Sequence, residues 1–235
     1  MEAAPTHPAT RFVAWAGGLL FLMSLLLCGY SFAVVMGRPA SGTVAPPVVV
    51  NVLLFTSFAL HHSVFARAGV KAWVTRRAPA GLERSAYVWA ASLWLIGVCW
   101  LWQGVPGTAW VAVGPTALVL RAVQGAGVWL TLRSARSIDI FELAGIRQLT
   151  PAEGPPVFTS TGPYGWVRHP IYTGWFLITL AEPAMTATRL TFAIVSGLYL
   201  LLAIPFEERS LLATEGPAYR TYSRAVPWKL CPWIY

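Results

Sequence analysis

The sequence predicts an all-α, polytopic membrane protein, and three observations carry that prediction. Of the 235 residues, 56% are hydrophobic and 11% are charged, whereas a soluble domain carries about 25% charged residues. The chain has 17 Lys and Arg and nine Asp and Glu, and three blocks, 67–84, 133–169 and 207–229, hold 20 of these 26 residues. The stretches between the blocks are apolar and long enough for helices of roughly 20 residues that cross a bilayer.

The first three spans follow from uncharged runs in the N-terminal half. Phe12–Met36 predicts span one, and it is too long for a signal peptide and lacks a small-residue cleavage site after it. Pro47–Ala66 predicts span two. Ser85–Leu120 is too long for one span, so span three ends near residue 105, where the sequence GVPG at 104–107 breaks the run.

The remaining three spans lie in the C-terminal half. Span four runs from about Ala109 to Leu132 and contains Arg121, whose expected partner is Glu182 or a carbonyl group, because a charge inside a bilayer is costly. Spans five and six, Ile171–Thr186 and Leu190–Phe206, form a helical hairpin. Helices are expected because all backbone polar groups must be satisfied internally, and no alternating pattern indicates a barrel.

The topology follows from the three charged blocks. Two spans separate each block from the next, so all three lie on one face of the membrane, and the positive-inside rule places that face and both termini in the cytoplasm, at a bacterial inner membrane. This topology and anionic head groups account for the net charge of +8, so no nucleic acid partner is expected. We predict one integral-membrane domain, 1–235, with its cofactor-binding part at about 133–235.

The segment 161–175, TGPYGWVRHPIYTGW, is the most informative stretch of the chain. Pro170 suits the first position of span five, so Arg168 and His169 lie at a helix N-terminus, where free N–H groups favour an anion. An Arg side chain can also bind a carboxylate through two parallel bonds. The alternative is interfacial, with the Arg side chain reaching lipid head groups and the Tyr and Trp rings forming an aromatic belt.

Glu207 and Glu208 directly follow span six. Two carboxylates at a helix C-terminus repel each other and oppose the helix dipole, so a bound cation or a nearby Arg is expected; the alternative is a solvated helix end. Together, the two motifs suit a zwitterion with a further positive centre. An Arg can bind the carboxylate of such a ligand, the Glu pair can bind its ammonium or a ribose hydroxyl, and aromatic faces can attract its sulfonium. S-adenosylmethionine has these parts.

The remaining candidate groups have a simpler interpretation. Cys28, Cys99 and Cys231 are interpreted as unpaired apolar filler. His61 and His62 are adjacent, so their side chains diverge by about 100° on a helix, and no Cys or Asp accompanies them. No metal site is expected.

The last third of the chain resembles the membrane methyltransferases, which include isoprenylcysteine carboxyl methyltransferase and the phospholipid N-methyltransferases. The resemblance lies in RHPxYxG at 168–174, EExxL at 207–211 and YxxYxxxVP at 219–227. It implies a helical membrane fold that binds S-adenosylmethionine on its cytosolic side. The residues it implies as cofactor ligands are Tyr164, Arg168, His169, Pro170, Tyr172, Glu207 and Glu208.

A narrower resemblance, to bacterial methanethiol S-methyltransferases and their NnrU-like relatives, covers most of the chain. It is carried by Asn51, HSxxAR at 62–67, KxW at 71–73, ERSxY at 83–87, FxLxGxRQ at 141–148 and PxMT at 183–186. It implies methyl transfer from S-adenosylmethionine to a small thiol, giving a volatile thioether. Two positions depart from the pattern: His61 stands in place of a Gln, and Pro205-Phe206 stands where isoprenylcysteine enzymes carry an Arg for the substrate carboxylate.

Methyl transfer from a sulfonium needs in-line approach in a desolvated pocket. A thiol reacts as its thiolate, and because a free cysteine thiol has a pKa of about 8.5, a base or a positive field must assist. The candidate catalytic residues are Glu208, favoured at the reacting centre, together with Arg168 and His62; Glu207 is a further candidate base. Two alternatives stay open, namely methylation of a lipid amine or prenylcysteine carboxylate, and a membrane transporter or accessory protein without catalysis.

Overall fold

A computed structural model describes residues 8–65, 76, 83–138, 141, 144–146 and 160–235. The described elements, in chain order, are α1 (Pro8–Tyr30, continued by a π-helical turn at Ser31–Val35), α2 (Ala45–Phe65), α3 (Glu83–Leu101), β1 (Thr108–Val111), α4 (Gly114–Ala135), a 3₁₀ turn (Gly162–Gly165), α5 (Pro170–Leu180), β2 (Ala184–Thr186), α6 (Ala187–Glu215) and α7 (Pro217–Ala225). The helical prediction is confirmed, with one small sheet added. Most of the charged block 67–84, and the middle of the block 133–169, lie outside the described residues.

Four stretches of helix are long and apolar enough to cross a membrane: Pro8–Val35, Ala45–Phe65, Arg84–Leu101 and Ala187–Glu215. Helix α4 has 22 residues but carries two Arg side chains. Helix α5 is apolar and has 11 residues, about half the length that a straight crossing requires. The helices are those of a polytopic membrane protein.

The boundaries predicted for spans four and five are wrong, because a two-stranded sheet lies where the hairpin was expected to be helical. Strand β1 pairs with β2 in antiparallel register, with Thr108 opposite Thr186 and Val111 opposite Ala184. Pro183 lacks an N–H donor, which disfavours continuation of the helix, and its carbonyl accepts a 2.8 Å bond from Ala112 N–H. Helix α5 therefore ends at Leu180, and α4 begins at Gly114.

The end predicted for span six is also wrong. Thr186 caps the start of α6 by accepting a bond from the Arg189 N–H, and the helix runs through Pro205 to Glu215. It ends at Gly216, whose φ of 53° is in the left-handed region that favours glycine. Glu207 and Glu208 thus lie inside the helix, two turns before its end, so the expected opposition to the C-terminal dipole does not arise.

The chain divides into two compact units. The first comprises Met1–Met36, Ala45–Gln103 and Asp139–Pro155. Within it, the Trp89 indole N–H donates to the Val13 carbonyl at 3.0 Å and joins α3 to α1. The buried Asn51 side chain both donates to and accepts from the backbone of Gln103, at 2.8 Å each way, and joins α2 to the end of α3.

The second unit comprises Gly37–Val44, Gly104–Ile138 and Pro156–Tyr235. Helices α4 and α5 approach closely because Gly127 and Gly174 face each other; a Cβ on Gly127 would lie 2.9 Å from the Gly174 carbonyl oxygen. Helix α5 is joined to α6 by a 3.0 Å bond from the Trp175 indole N–H to Ser196 Oγ. Helix α7 packs on α6 through a small core formed by Tyr219, Tyr222, Val226 and Leu211. The single-domain organisation stays a prediction.

All three cysteines are free. Cys28 and Cys99 are buried, as expected of apolar filler. Cys231 is exposed, so that interpretation is wrong for this residue. It lies in the segment after α7, where it is open to a thiol reagent.

Candidate functional site

The segment that precedes α5 places Arg168 and His169 at the helix N-terminus. Gly162, with a φ of 64°, begins the 3₁₀ turn, a conformation that only glycine adopts readily. Pro170 occupies the first turn of α5 and His169 is the residue that precedes it. The predicted position of this motif at the start of a helix is confirmed.

Arg168 and Glu208 form the centre of the site. Arg168 Nε donates to Glu208 Oε1 at 2.7 Å, and both side chains are largely buried. His169 Nε2 lies 3.3 Å from the same oxygen. The expectation that a nearby Arg relieves the Glu pair is therefore confirmed for Glu208.

Glu207 and Tyr172 form the more open side of the site. The Tyr172 hydroxyl donates to Glu207 Oε2 at 2.8 Å, and the Tyr172 ring stacks on His169 at 5.4 Å between centroids. The Glu207 side chain is 44% exposed. Its other oxygen, Oε1, has no hydrogen-bond donor among the residues that the structure describes, so it can accept from a ligand.

Five consecutive backbone carbonyls after α7 face the start of α5. The carbonyls of Val226 and Pro227 accept from Arg168 Nη1 at 2.9 and 2.8 Å. Those of residues 228 and 229 accept from the backbone N–H groups of residues 168 and 169, each at 2.9 Å. The carbonyl of Leu230 accepts from Thr173 Oγ1 at 2.7 Å. We call residues 226–230 the C-terminal strap.

The strap uses two of the N–H donors near this helix start, those of Arg168 and His169. Arg168 still has donors available, since Nη2 has no acceptor within the described ranges. A carboxylate could reach Nη2 while Nε and Nη1 hold Glu208 and the strap. The site thus presents one cationic edge and one carboxylate oxygen for a ligand.

Three tyrosines, Tyr164, Tyr219 and Tyr222, lie near the charged groups of Arg168, Glu207 and Glu208. The Tyr222 hydroxyl donates to the Tyr164 carbonyl at 2.8 Å, which ties α7 to the 3₁₀ turn. Burial, followed by the negative charge of Glu207, raises the pKa of the Tyr164 phenol. Burial and the charge of Glu208 raise the pKa of Tyr219, and burial raises the pKa of Tyr222 to about 12. All three phenols are neutral near pH 7.

His62 belongs to the first unit, where it pairs with Tyr87. The Tyr87 hydroxyl lies 2.7 Å from His62 Nδ1, and Phe58 stacks on the His62 ring at 5.8 Å. The Arg84 guanidinium lies 5.8 Å from the Tyr87 ring centre. His62 has the hydrogen-bonded setting of a functional imidazole, and its catalytic role stays a prediction.

The structure brings Tyr164, Arg168, His169, Pro170, Tyr172, Glu207 and Glu208 together in the second unit. Sequence reasoning missed Thr173 and the strap. The five strap contacts are made by carbonyl groups that every residue carries, so no side-chain pattern indicates them. Two signals were available: the strap lies directly after the amphipathic helix α7, and its first two residues end the YxxYxxxVP motif at 219–227.

The second expected ion pair, Arg121 with Glu182, is confirmed. Arg121 Nη1 and Nη2 donate to the two carboxylate oxygens at 3.1 and 3.2 Å. Gln124 Nε2 reaches the same carboxylate at 3.2 Å, and Arg189 Nη1 lies 3.3 Å from it. This pair lies at the opposite end of α5 from Arg168.

Comparison with known proteins gives three findings. The family model of the isoprenylcysteine carboxyl methyltransferase family matches residues 149–213, which contain the RHP and EE motifs. Several whole-length relatives are methanethiol S-methyltransferases. No solved structure matches the chain.

The relatives cover nearly the whole sequence. Methanethiol S-methyltransferase of Mycobacterium tuberculosis is 40% identical over 92% of this chain and 94% of its own length. Methanethiol S-methyltransferase 1 of Bradyrhizobium diazoefficiens is 36% identical over 95% and 83%. The enzyme of that name from Crocosphaera subtropica is 35% identical over 95% and 92%.

Proposed function

This chain belongs to the methanethiol S-methyltransferase family, and from that premise we propose that it methylates methanethiol in the membrane. The methanethiol sulfur forms a bond to the transferred methyl group as the donor's bond to that methyl group breaks and its electron pair stays on the donor; the thiol proton passes to a base, and the product is dimethyl sulfide. The observation that carries the proposal is that five side chains of the two motifs lie together in one unit: Arg168, His169, Tyr172, Glu207 and Glu208. The relatives named methanethiol S-methyltransferase align with nearly the whole chain.

We propose S-adenosylmethionine as the methyl donor. Bound at this site, it would supply an electrophilic methyl group on a sulfonium centre. The donor set fits its other parts: Arg168 Nη2 can hold a carboxylate, and Glu207 Oε1 can accept from an ammonium or a ribose hydroxyl. The stacked rings of Tyr172 and His169 offer aromatic faces, which attract a sulfonium through the cation–π interaction.

The acceptor thiol needs a base, because an alkyl thiol is mostly protonated near pH 7. We place Glu208 at the reacting centre as the first candidate, held in position by Arg168 and His169. His62, hydrogen-bonded to Tyr87, is the second candidate. Substitution of each residue in turn decides between them. A variant that lacks the base should regain its methyl-transfer rate at high pH, because the thiol then ionises without help.

A labelled-methyl assay tests the proposal. Membranes containing the protein are incubated with methyl-labelled S-adenosylmethionine, with and without methanethiol. Label in dimethyl sulfide that depends on methanethiol supports the proposal. Label in extracted lipid or prenylcysteine would instead favour the acceptor of the isoprenylcysteine carboxyl methyltransferase family, and cofactor that neither binds nor reacts would favour a non-catalytic membrane protein.

We further propose that the chain crosses the membrane six times with the site at the cytoplasmic face. Four apolar helices of suitable length, α1, α2, α3 and α6, support it, as do the 22-residue α4 and the apolar α5 that forms a hairpin with α6. The position of most charged residues in three blocks also supports it. Exposed Cys231 provides a test, because Cys28 and Cys99 are buried. A membrane-impermeant maleimide is expected to label inside-out vesicles and to leave right-side-out vesicles unlabelled; the reverse pattern would contradict the orientation.

A further inference from the structure

The end of α5 carries a buried carboxylate with two cationic partners. The Glu182 side chain is 2% exposed and receives both terminal nitrogens of Arg121. Arg189 lies 3.3 Å away and is itself 8% exposed. Among the residues that the structure describes, two positive charges thus share this one negative charge, and the cluster they form has a surplus of one positive charge.

The surplus charge is accessible at Arg121 alone within this cluster. Arg189 is packed against Gly37, where an added Cβ would lie 2.5 Å from Nη2. The Arg121 side chain is 58% exposed. Arg121 pairs with Glu182, just beyond the C-terminal end of α5, whereas Arg168 lies at the N-terminal end of α5.

The guanidinium of Arg121 has one edge engaged and one edge open. Nη1 donates to Glu182 and to Gln124 Oε1, and Nη2 donates once to Glu182. Nε and the second Nη2 hydrogen have no acceptor among the described residues. These two N–H groups form the parallel pair with which Arg binds carboxylates and phosphates.

The surface around this open edge is apolar. Leu118, Arg121, Gly125, Val128 and Leu132 recur at spacings of three and four, so they share one face of α4. Every member of this face is exposed, Leu118 by 73%, and nothing lies within 4 Å of a Cβ built on Gly125. An exposed apolar face with a single cation near one helix end matches the hydrocarbon and head-group zones of one lipid molecule.

We propose that the open edge of Arg121 binds the phosphate of an anionic phospholipid, whose acyl chain lies along this face from Gly125 to Leu132, while Leu118 lies beside the head group. The surplus positive charge favours an anionic head group over a neutral one. The site lies beyond the other end of α5 from the methyl-transfer site, so the proposal is independent of the reaction. It rests on the position of α4 in a bilayer.

Native mass spectrometry of the full chain in detergent tests this site, with phosphatidylglycerol as the probe and diacylglycerol of the same chains as the comparison. Phosphatidylglycerol is expected to remain bound and diacylglycerol to dissociate. Leu118→Glu places a negative charge one turn from Arg121 and leaves the Arg121–Glu182 pair intact, so it should weaken phosphatidylglycerol binding about tenfold or more. Leu118→Gln is matched in size to Leu118→Glu and adds no charge, so it should bind phosphatidylglycerol clearly more tightly than Leu118→Glu does.

A second variant tests the geometry rather than the charge. Arg121→Lys keeps a cation beside Glu182 but has no second parallel pair of donors, so it should also lose phosphatidylglycerol. Arg136→Lys changes an exposed Arg at the other end of the same helix and should have no effect. Equal phosphatidylglycerol binding by Leu118→Glu and Leu118→Gln, or retention of diacylglycerol as strongly as phosphatidylglycerol, would overturn the proposal. Methyl-transfer activity in the same samples is expected to be unchanged.

Discussion

Arg168 and Glu208, 40 residues apart in the chain, are joined by a 2.7 Å hydrogen bond from Nε to Oε1. The bond connects the N-terminus of α5 to the interior of α6. Arg168 binds the C-terminal strap with Nη1 at the same time. One guanidinium therefore fixes three separate parts of the chain around the proposed cofactor site.

Glu208→Gln should lower methyl transfer to methanethiol at pH 7 by at least about 100-fold, the usual range for loss of a general base. If Glu208 is the base, the rate of the variant should recover toward high pH as the thiol ionises by itself. The tyrosines around the site do not interfere, because the pKa of Tyr222 is about 12 and the phenols of Tyr164 and Tyr219 also titrate above their usual range. Rates of both chains are measured from pH 6 to 10.

Glu215→Gln is the matched control, since it removes a carboxylate from the same helix outside the site. It should behave like the original chain. A Glu208→Gln variant that is slow at every pH would assign Glu208 to positioning instead of proton transfer. The same profile for His62→Gln then tests the second candidate.

Tyr172→Phe should weaken binding of S-adenosylmethionine with little change in turnover at saturation. It removes the 2.8 Å bond that orients Glu207, and hydrogen bonds to charged groups contribute about 1.5–3 kcal/mol. The KM for the cofactor should rise about 10- to 100-fold. Tyr30→Phe, which alters an exposed phenol in α1, is the control; an unchanged KM in Tyr172→Phe would remove Tyr172 from the cofactor site.

Thr173→Val should loosen the C-terminal strap. The change removes the 2.7 Å bond to the Leu230 carbonyl, and a neutral hydrogen bond contributes about 1 kcal/mol, or roughly fivefold in local opening. Hydrogen–deuterium exchange should therefore accelerate at the Arg168 and His169 amides. Thr191→Val loses only a bond within its own helix and should leave those amides unchanged, so equal exchange in both variants would count against the strap.

Gly127→Ala should destabilise the second unit by about 1–3 kcal/mol, because its Cβ would lie 2.8 Å from the Leu177 Cβ and overpack the α4–α5 contact. Gly125→Ala, two residues earlier in the same helix, meets nothing within 4 Å. Because Ala has a greater helix propensity than Gly, this change should stabilise α4 by about 0.5–1 kcal/mol. Melting temperatures of the purified chains in detergent should move in opposite directions, and a fall in both would contradict this packing.

Charge placement predicted much of the fold, since a bilayer excludes charge from long segments. The uncharged runs predicted as spans one, two and three located α1, α2 and α3 to within a few residues. The hairpin of α5 and α6 was predicted, but the short strand between the two helices was missed, because it forms by pairing with residues 108–111, which a local pattern does not reveal. Glu207 and Glu208 were expected at a helix end because hydropathy falls there, although the backbone continues as helix.

The side-chain contacts of the site could be predicted from the sequence. Arg168, His169 and Glu208 meet as the motifs indicate, and Arg121 meets Glu182. The strap could not be predicted, because its contacts depend on where a later segment of backbone lies. The KxW motif at 71–73 and the last two residues of the FxLxGxRQ motif, 147 and 148, fall outside the described residues.

The strap also fixes when the site can form during synthesis. Val226 lies 58 residues after Arg168, so α5 leaves the ribosome long before its carbonyl partners exist. Until residue 230 has been made, the amides of Arg168 and His169, the Thr173 hydroxyl and the Arg168 guanidinium lack those acceptors. Chains interrupted within α7 would therefore insert their apolar helices and still be unable to complete the site.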